Sequence, residues 1–301
     1  MIGQIIKWGG FVKLSHTVFA MPFALGSMAL AARDTQGWPG WRLFLLILGA
    51  VTLARTCAMS FNRIVDREFD AKNPRTAERH LPTGQISLRS AWTLCILSAL
   101  GFVAVCWQIN FACLVLSPVA LAVVCFYSLT KRFTDFTHIY LGAALALAPI
   151  GAWLAVRGSI HLAPIVLALA VVCWLVGFDI IYALQDYEFD RKHGLHSLVV
   201  RWGPKNALQF SFLVHVVMWG LLAIFGLFSR FWIPYFVGLL LILVSLLFEH
   251  WLARKRSLKW INVAFFRLNA LISIVFMVSV IISVAVPWFR PPMGVSIPFW
   301  M

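Results

Sequence analysis

Long apolar runs alternate with short polar segments along almost the whole chain. Nine of these runs are about 20 residues long, which is enough to cross roughly 30 Å of hydrocarbon as an α-helix. The runs span residues 11–32, 42–61, 90–108, 112–129, 138–156, 163–186, 207–228, 232–252 and 268–288. The pattern predicts an all-α polytopic membrane protein, with nine transmembrane helices in a bundle and a single domain over residues 1–301.

The composition agrees with a membrane protein and excludes an ordinary soluble domain. Hydrophobic residues make up 61% of the chain and charged residues 12%, whereas a soluble domain is nearer half apolar and a quarter charged. The formal net charge is +14, but the basic residues are spread between apolar runs, so no nucleic-acid partner is expected. All six cysteines lie inside apolar runs without a C-x-x-C pair, which indicates buried free thiols.

The Lys and Arg residues are distributed unevenly between alternate loops. The N-terminal segment and the loops after the second, fourth, sixth and eighth runs contain 19 of the 25, and the other loops with the C-terminal tail contain five. Because positive residues are enriched on the cytoplasmic side, we expect a bacterial-type inner-membrane protein with its N-terminus in the cytoplasm and its C-terminus outside. A secretory signal in the first run is the competing interpretation, and the loop charges argue against it.

Seven of the eleven acidic residues belong to two clusters, which are Asp66, Glu68 and Asp70, and then Asp179, Asp186, Glu188 and Asp190. The pattern D-x-E-F-D-x-K occurs at Asp66–Lys72 and again at Asp186–Lys192, after the second and sixth runs. Residues four apart share a face of a helix, so each cluster places two aspartates on one side. Asn62 continues the first face and Asp179 the second, while Glu68 and Glu188 point elsewhere. The charge distribution places both clusters at the cytoplasmic face.

Aligned carboxylates near a membrane are unfavourable unless a cation compensates them. Hard oxygen ligands suit Mg²⁺, which binds through a few carboxylates while it keeps water and substrate phosphate oxygens. Two facing clusters could therefore hold Mg²⁺ around a diphosphate. Basic residues near the clusters could neutralise a departing phosphate group or anchor the membrane surface; they are Lys72, Arg75, Arg79, Lys131, Arg132, Arg191 and Lys192. The alternative for the acids is that they are solvated helix ends paired with these cations.

Arg55 differs from the other basic residues because it lies inside the second apolar run. It precedes Asn62 by seven residues, which places it two turns deeper on the same helix face. An ionisable residue within the membrane is a candidate functional residue by default. Arg55 could bind a small anionic or polar substrate below the acids, or it could form a structural ion pair with Asp179.

Several stretches resemble the UbiA superfamily of intramembrane aromatic prenyltransferases. NRIVDREFDAKNPRTAERHLPTG, residues 62–84, is similar to that family's NDxxDxxxD and R-T-A-x-R-x-[LI]-P-x-G patterns. DIIYALQDYEFD, residues 179–190, resembles its second acidic pattern, and YSLTKR, residues 127–132, resembles its Y-x-x-x-K-R stretch. The resemblance covers essentially the whole chain. Arg63 departs from it, since the family usually has aspartate there; on a helix this position points about 100° away from Asn62.

The resemblance implies a nine-helix bundle around a central cavity with a cytoplasmic cap. It implies transfer of a polyprenyl group from an isoprenoid diphosphate to an aromatic acceptor, with Mg²⁺ as cofactor, early in ubiquinone or menaquinone biosynthesis. The implied catalytic residues are Asp66, Asp70, Asp186 and Asp190. The same four with Asn62 are the implied metal ligands. The implied substrate-binding residues are Arg55, Lys72, Arg79, Tyr127, Lys131, Asp179, Tyr182 and Lys192.

The resemblance also suggests how the substrates lie. Arg55 would orient the carboxylate of the acceptor, an acidic residue such as Asp186 would help to deprotonate its phenol, and the prenyl tail would lie between helices. The expected acceptor is 4-hydroxybenzoate, with 1,4-dihydroxy-6-naphthoate of the futalosine pathway as the alternative. The expected partners are these substrates and the lipid bilayer; no protein partner can be inferred. Two other classes remain open from the sequence, a cation-coupled secondary transporter and a catalytically silent membrane scaffold.

Overall fold

The computed structural model describes residues 2–254 and 263–286, and all regular elements in these ranges are helical. Nine stretches within them are long and apolar enough to cross a membrane, which confirms the predicted fold class. The helices are α1 Ile2–Phe11, α2 Met21–Ala31, α3 Trp41–Val65, α4 Arg67–Lys72, α5 Leu88–Ile109, α6 Phe111–Phe126, α7 Thr137–Arg157, α8 Leu162–Ala183, α9 Tyr187–Lys192, α10 Leu198–Phe228, α11 Ile233–Ala253 and α12 Asn269–Ala285.

Helix α8 lies at the centre of the bundle, where it packs against α7 and α10. Its Trp174 side chain is fully buried and contacts the rings of Phe23 and Phe178. At the periphery, large apolar side chains such as Trp107 and Phe111 are exposed. Exposed apolar side chains on a polytopic helical protein are the surface that lipid covers.

Three helices begin at side-chain caps, which satisfy N–H groups that a first helical turn leaves unpaired. The Ser87 hydroxyl accepts a hydrogen bond from the Ser90 amide at the start of α5. Asn110 caps α6 and Ser197 caps α10 in the same way. The Ser197 cap explains why α10 begins at Leu198, although the predicted run began at residue 207. Gly203, at φ 77°, kinks this helix before Pro204.

The helices α3 and α8 end at the same face of the bundle, which we call the motif face because both acidic clusters lie there. The loop after α4 crosses this face, since Arg75 reaches Asp186 at the end of α8. The segment after α9 is fixed to the same face by a hydrogen bond from the His196 amide to the Lys131 carbonyl. At the opposite face, Arg157 at the end of α7 pairs with Asp34 at 2.8 Å.

The C-terminal end lies partly outside the described residues. The predicted ninth run, 268–288, extends past the last described position, and the expectation that the C-terminus lies outside the cell concerns residues 287–301. Residues 255–262 of the loop after α11, which include Lys255, Arg256 and Lys259, are also outside the described ranges.

Candidate active site

The first wall of the candidate site is the end of α3 and the short helix that follows it. Asn62 is in the last turn of α3, and its side-chain amide donates a hydrogen bond of 2.8 Å to Asp66. Asp66 interrupts the helix, but the Asp70 amide still bonds to the Asp66 carbonyl at 2.8 Å. One turn is thus preserved across the interruption, and Asn62, Asp66 and Asp70 line the same cavity, as the four-residue spacing predicted.

The second wall is the corresponding end of α8. A 3-10 turn, Leu184–Asp186, connects α8 to α9, and both Asp186 and Asp190 are buried. Tyr182 and Asp179 lie before this turn on α8, and all four side chains line the cavity. The two acidic clusters therefore face one hollow of about 310 Å³. Glu68 and Glu188 are exposed and do not line it, which agrees with their predicted orientation.

Each of the four aspartates in the two D-x-E-F-D-x-K motifs pairs with a basic side chain. The pairs and their shortest N–O distances are Arg132–Asp66 at 3.4 Å, Arg79–Asp70 at 2.6 Å, Arg75–Asp186 at 2.6 Å and Lys131–Asp190 at 3.3 Å. The cations thus come from the loop after α4 and from the 3-10 segment Tyr127–Arg132. Paired acids and bases around an open cavity can exchange partners when an anion and a metal ion enter.

Arg75 makes the most extensive of these pairings. Its guanidinium donates two hydrogen bonds to the two carboxylate oxygens of Asp186, at 2.8 and 2.6 Å, and a third to the Tyr182 hydroxyl at 2.9 Å. It also lies over the Tyr182 ring. Asn73 donates a further hydrogen bond to Asp186. Bidentate pairing of this kind is specific to arginine, and it links the loop after α4 to the end of α8 at the motif face.

Two groups outside the membrane-spanning stretches show how charge is distributed in the cavity. Partial burial and the neighbouring Asp70 carboxylate raise the pKa of Asp66 to about 6. Partial burial and the nearby Arg63 guanidinium lower the pKa of Lys13. Asp66 and Asp70 therefore repel each other in the cavity, and so do Lys13 and Arg63. An added cation near Asp66 and an added anion near Lys13 would each relieve this repulsion.

Arg55 occupies the deep end of the cavity, where it lies beside Tyr127. One of its terminal nitrogens donates to the Lys13 carbonyl at 3.3 Å, while its Nε is buried and has no hydrogen-bond partner among the residues that the structure describes. Asp179 pairs with His138 and not with Arg55, so the structural ion pair considered from the sequence is not formed. The guanidinium is consequently available to an anionic ligand.

A second cavity, of about 380 Å³, adjoins the first. The two share five lining residues, Arg55, Met59, Tyr127, Leu141 and Leu145. The second cavity lies between α3, α5, α6 and α7, and small side chains leave the space open; they include Ala50, Ala54, Ala58, Ala144 and Ala148. Its lining is mostly apolar apart from Arg55, Ser117 and Tyr127, and it includes Leu116 and Val119, which are exposed at the bundle surface. The cavity thus offers an apolar chain a path from the polar hollow towards lipid.

The structure does not bring every predicted site residue to the cavity. Arg79, Lys131, Tyr127, Tyr182 and Asp179 line it, but Lys72 and Lys192 are exposed and lie outside its lining. These two lysines end the short helices α4 and α9, whose inward faces carry the aspartates. A residue two positions after an inward aspartate points outwards on a helix. The spacing between these lysines and the aspartates was therefore sufficient to predict that Lys72 and Lys192 point away from the cavity.

Other cavity residues were not assigned to the site from the sequence. Lys13, His16, Arg63 and Asn73 line the cavity, and His138 lies directly behind it. Asn73 and Arg75 follow the first acidic cluster closely, and this proximity is a usable signal. Lys13, His16 and His138 come from distant parts of the chain, and only the packing of the helices brings them to the acids. Arg63, at the departing position, is buried and lies 4.0 Å from Asp70.

The donor set can be compared with the needs of a divalent metal ion. Within residues 2–254 and 263–286, no three His, Cys, Asp or Glu side chains are grouped closely enough to form a ready-made metal cage. The two walls instead provide the predicted ligands, which are the Asn62 amide and the carboxylates of Asp66, Asp70, Asp186 and Asp190. Mg²⁺ is usually bound by one or two carboxylates together with substrate phosphates. The residues therefore fit Mg²⁺ that enters with a diphosphate.

The chain is similar to known proteins over most of its length. Residues 20–289 match the description "UbiA prenyltransferase family". A 4-hydroxybenzoate octaprenyltransferase of Pseudomonas aeruginosa (strain UCBPP-PA14) is 34% identical over 234 residues, which is 77% of this chain and 77% of that protein. A 4-hydroxybenzoate octaprenyltransferase of Tolumonas auensis is 31% identical over 224 residues, 74% of this chain and 78% of that protein.

Solved structures show the same helical arrangement. The apo structure of a UbiA homolog from Aeropyrum pernix K1 matches with a TM-score of 0.80 at 30% identity, covering 89% of this chain and 97% of that one. A UbiA homolog from Archaeoglobus fulgidus, bound to GPP and Mg²⁺, matches with a TM-score of 0.71 at 25% identity, covering 91% of this chain and 99% of that one.

Proposed function

Since the chain belongs to the UbiA prenyltransferase family and is a prenyltransferase, we propose that it transfers a polyprenyl group from an isoprenoid diphosphate to an aromatic acceptor. The transfer depends on Mg²⁺ and supplies an early intermediate of quinone biosynthesis. One observation carries the proposal: the two acidic clusters line one polar cavity, which adjoins an apolar cavity between helices. A cation-coupled transporter and a silent scaffold, both open from the sequence, are not retained.

The polar cavity suits the diphosphate. Asn62, Asp66 and Asp70 on one wall, with Asp186 and Asp190 on the other, would hold Mg²⁺, which would neutralise charge on the leaving diphosphate when bound. Basic side chains around the rim bind its remaining oxygens, and they are Lys13, Arg75, Arg79, Lys131 and Arg132. Apart from Lys13, these cations are paired with acids in the structure, so they are already oriented towards the place where charge develops.

The apolar cavity suits the prenyl chain and protects the reaction. Loss of diphosphate leaves an allylic cation, which water would hydrolyse, so the reacting carbon must lie in a dry place. The two cavities meet at Met59 and Tyr127, below the acids, and Arg75 crosses the motif face above them. An isoprenoid chain in the apolar cavity would place its first carbon at this junction, where an aromatic ring can attack it.

The acceptor is assigned to the deep end of the polar cavity. Arg55 lines both cavities, and its buried Nε has no partner within the described chain. A carboxylate that enters the cavity would bind the Arg55 guanidinium through charge-assisted hydrogen bonds. We therefore assign 4-hydroxybenzoate as the acceptor, which also agrees with the names of the similar bacterial proteins. 1,4-Dihydroxy-6-naphthoate carries the same carboxylate, which Arg55 could bind in the same way, and it is the second candidate.

The assay for this proposal uses purified protein, geranyl diphosphate, 4-hydroxybenzoate and Mg²⁺. We expect release of diphosphate and formation of a geranylated acid, both abolished by EDTA. The double substitution Asp66→Ala with Asp190→Ala should lower the rate by roughly a hundredfold or more, because it removes ligands from both walls. Competition between the two acceptors in native membranes, followed by mass analysis of the product, decides which acceptor is preferred.

A matched control separates the loss of metal ligands from a general loss of acidic charge. Glu68→Ala with Glu188→Ala removes two acids from the same two clusters, but both side chains are exposed and lie outside the cavity. This variant should keep nearly the full rate. If the aspartate variant stays active, or if both double variants lose activity equally, the proposed function is wrong.

A further inference from the structure

Asp179 has a different partner from the other acids of the polar cavity. Its Oδ2 lies 2.6 Å from Nδ1 of His138, which is the second residue of α7. The His138 side chain is fully buried, whereas the Asp179 side chain is 19% exposed and lines the cavity. A histidine from one helix thus holds one oxygen of the carboxylate, and the carboxylate faces the space where substrate binds.

The remaining cavity acids are engaged by permanent cations. Among the described residues, each of them has a Lys or Arg nitrogen within 4.0 Å, and they are Asp66, Asp70, Asp186 and Asp190. The carboxylate of Asp186 accepts three hydrogen bonds, two from Arg75 and one from Asn73. Hydrogen bonds to an ionised carboxylate stabilise its charge and make it a weaker proton acceptor. Within the described ranges, Asp179 alone among these five pairs with an imidazole and has no Lys or Arg nitrogen within 4.0 Å, although Lys131 acts on it from farther away.

The surroundings of His138 indicate which protons the pair carries. Its Nε2 is buried and has no hydrogen-bond partner in the described part of the chain. A buried N–H without an acceptor is unfavourable, so the geometry favours the tautomer with its proton on Nδ1. The Nδ1–H then donates a hydrogen bond to Oδ2 of Asp179. This arrangement fixes one oxygen of the carboxylate and leaves the other as an acceptor.

The depth of Asp179 matches the depth of the proposed acceptor. Asp179 precedes Asp186 by seven residues on α8, and Arg55 precedes Asn62 by seven on α3, so each lies about 10 Å below its acidic cluster along its helix. Both line the polar cavity, together with Tyr182. An aromatic ring whose carboxylate binds Arg55 would lie in the same layer as Asp179 and below the diphosphate.

We propose that Asp179 is the base that accepts the hydroxyl proton of the aromatic acceptor, and that His138 is the positioning residue that orients it. This proposal rests on the proposed function. Asp179 takes the hydroxyl proton as the ring carbon beside the hydroxyl bonds to the allylic carbon. The carbon–oxygen bond to diphosphate breaks, and its electron pair leaves with the diphosphate. The proton of the substituted ring carbon then goes to diphosphate, and Asp179 returns its proton to the ring oxygen.

The test compares two replacements of His138. The side-chain amide of asparagine can donate from the place of Nδ1, whereas leucine has no donor. With geranyl diphosphate and 4-hydroxybenzoate, we expect His138→Leu to lower kcat by about tenfold or more, the effect of losing a hydrogen bond to a charged group. His138→Asn should recover most of the rate. The KM for geranyl diphosphate should be unchanged in both variants, because the diphosphate lies above this layer.

A second acceptor separates proton transfer from a merely structural effect. 3-Fluoro-4-hydroxybenzoate has a more acidic hydroxyl, and it keeps one unsubstituted carbon beside it. Its prenylation should depend less on a base. His138→Leu and Asp179→Asn should therefore each lower kcat clearly less with this acceptor than with 4-hydroxybenzoate. Equal losses with both acceptors, equal rates for the asparagine and leucine variants, or no loss would overturn the assignment.

Two controls keep the outcome interpretable. If His138→Leu does not fold, His138→Gln replaces it, because the longer side chain carries its amide to the position of Nε2 and away from Asp179. Wild-type protein that prenylates neither acceptor would overturn the proposed function. Wild-type protein that is active while the variants behave alike would overturn only the roles of Asp179 and His138.

Discussion

Arg75 and Lys72 lie three residues apart, yet their side chains have different surroundings. Lys72 ends α4 and is exposed outside the cavity, while Arg75 bonds to both oxygens of Asp186 and to the Tyr182 hydroxyl. Both were basic residues near an acidic cluster in the sequence, and only Lys72 was assigned to substrate binding. The bidentate pairing now makes Arg75 the stronger candidate.

We predict that Arg75→Ala and Lys72→Ala have unequal effects on prenyl transfer. Arg75→Ala leaves the buried Asp186 carboxylate with only Asn73 as a partner, so kcat/KM for geranyl diphosphate should fall by about tenfold to a hundredfold. Lys72→Ala removes the same charge from the same loop region and should stay within about twofold, since exposed charges contribute little. Equal losses would show that net charge, and not pairing with Asp186, is what matters.

At the scale of single residues, the sequence predicted the acids better than their partners. The four-residue spacing placed Asn62, Asp66 and Asp70 on one face, and the structure confirms that they share a cavity. Their partners depend on contacts far apart in sequence, such as His138 with Asp179, 41 positions away. Arg63 shows a further limit. Its position points away from Asn62 on the helix, but its long side chain still reaches the cavity lining.

At the scale of helices, α8 and α10 approach each other unusually closely at Gly177. A Cβ atom built on Gly177 would overlap the imidazole ring of His215. That ring cannot move easily, because His215 bonds to the Trp174 carbonyl at 3.0 Å and to His250 at 2.9 Å. The glycine is therefore needed for the contact between the two helices, and its substitution tests the packing directly.

We predict that Gly177→Ala destabilises the protein and Gly220→Ala does not. Overpacking a rigid contact costs about 1–3 kcal/mol, so Gly177→Ala should lower the melting temperature in detergent. A Cβ at Gly220 would meet nothing within 4 Å, and alanine favours a helix by about 1 kcal/mol over glycine. The melting temperature of Gly220→Ala should therefore be unchanged or higher. The opposite order would mean that the α8–α10 contact is looser than described.

The sequence predicted where helices exist, but not which of their faces meet. Apolar length was sufficient for the nine spans, since a bilayer sets the length of each. In a membrane the lipid-facing and buried faces are both apolar, so a pattern of hydrophobicity cannot separate them. The polar chain from Trp174 through Asn269 to Glu249, which joins α8, α12 and α11 by bonds of 2.7 Å, could not be foreseen for this reason.

At the scale of the whole molecule, the two acidic clusters, the loop after α4 and the segment after α9 share the motif face. The distribution of Lys and Arg predicts that this face is cytoplasmic. The structure shows that these segments share one face, and the charge distribution predicts which side of the membrane that face is on. The two statements are linked, because a diphosphate made in the cytoplasm can reach the acids only if the motif face lies there.

We predict that cysteines introduced at the two faces differ in their accessibility from outside the cell. Gln85 is exposed at the motif face, and Ser159 is exposed beyond the end of α7 at the opposite face. The six natural cysteines are buried or half-buried, so an impermeant maleimide should report mainly the new thiols. In intact spheroplasts, Ser159→Cys should be labelled and Gln85→Cys should not; after permeabilisation both should be labelled. The reverse pattern would place the acids on the outer face, where the charge asymmetry of the loops would be left without an explanation.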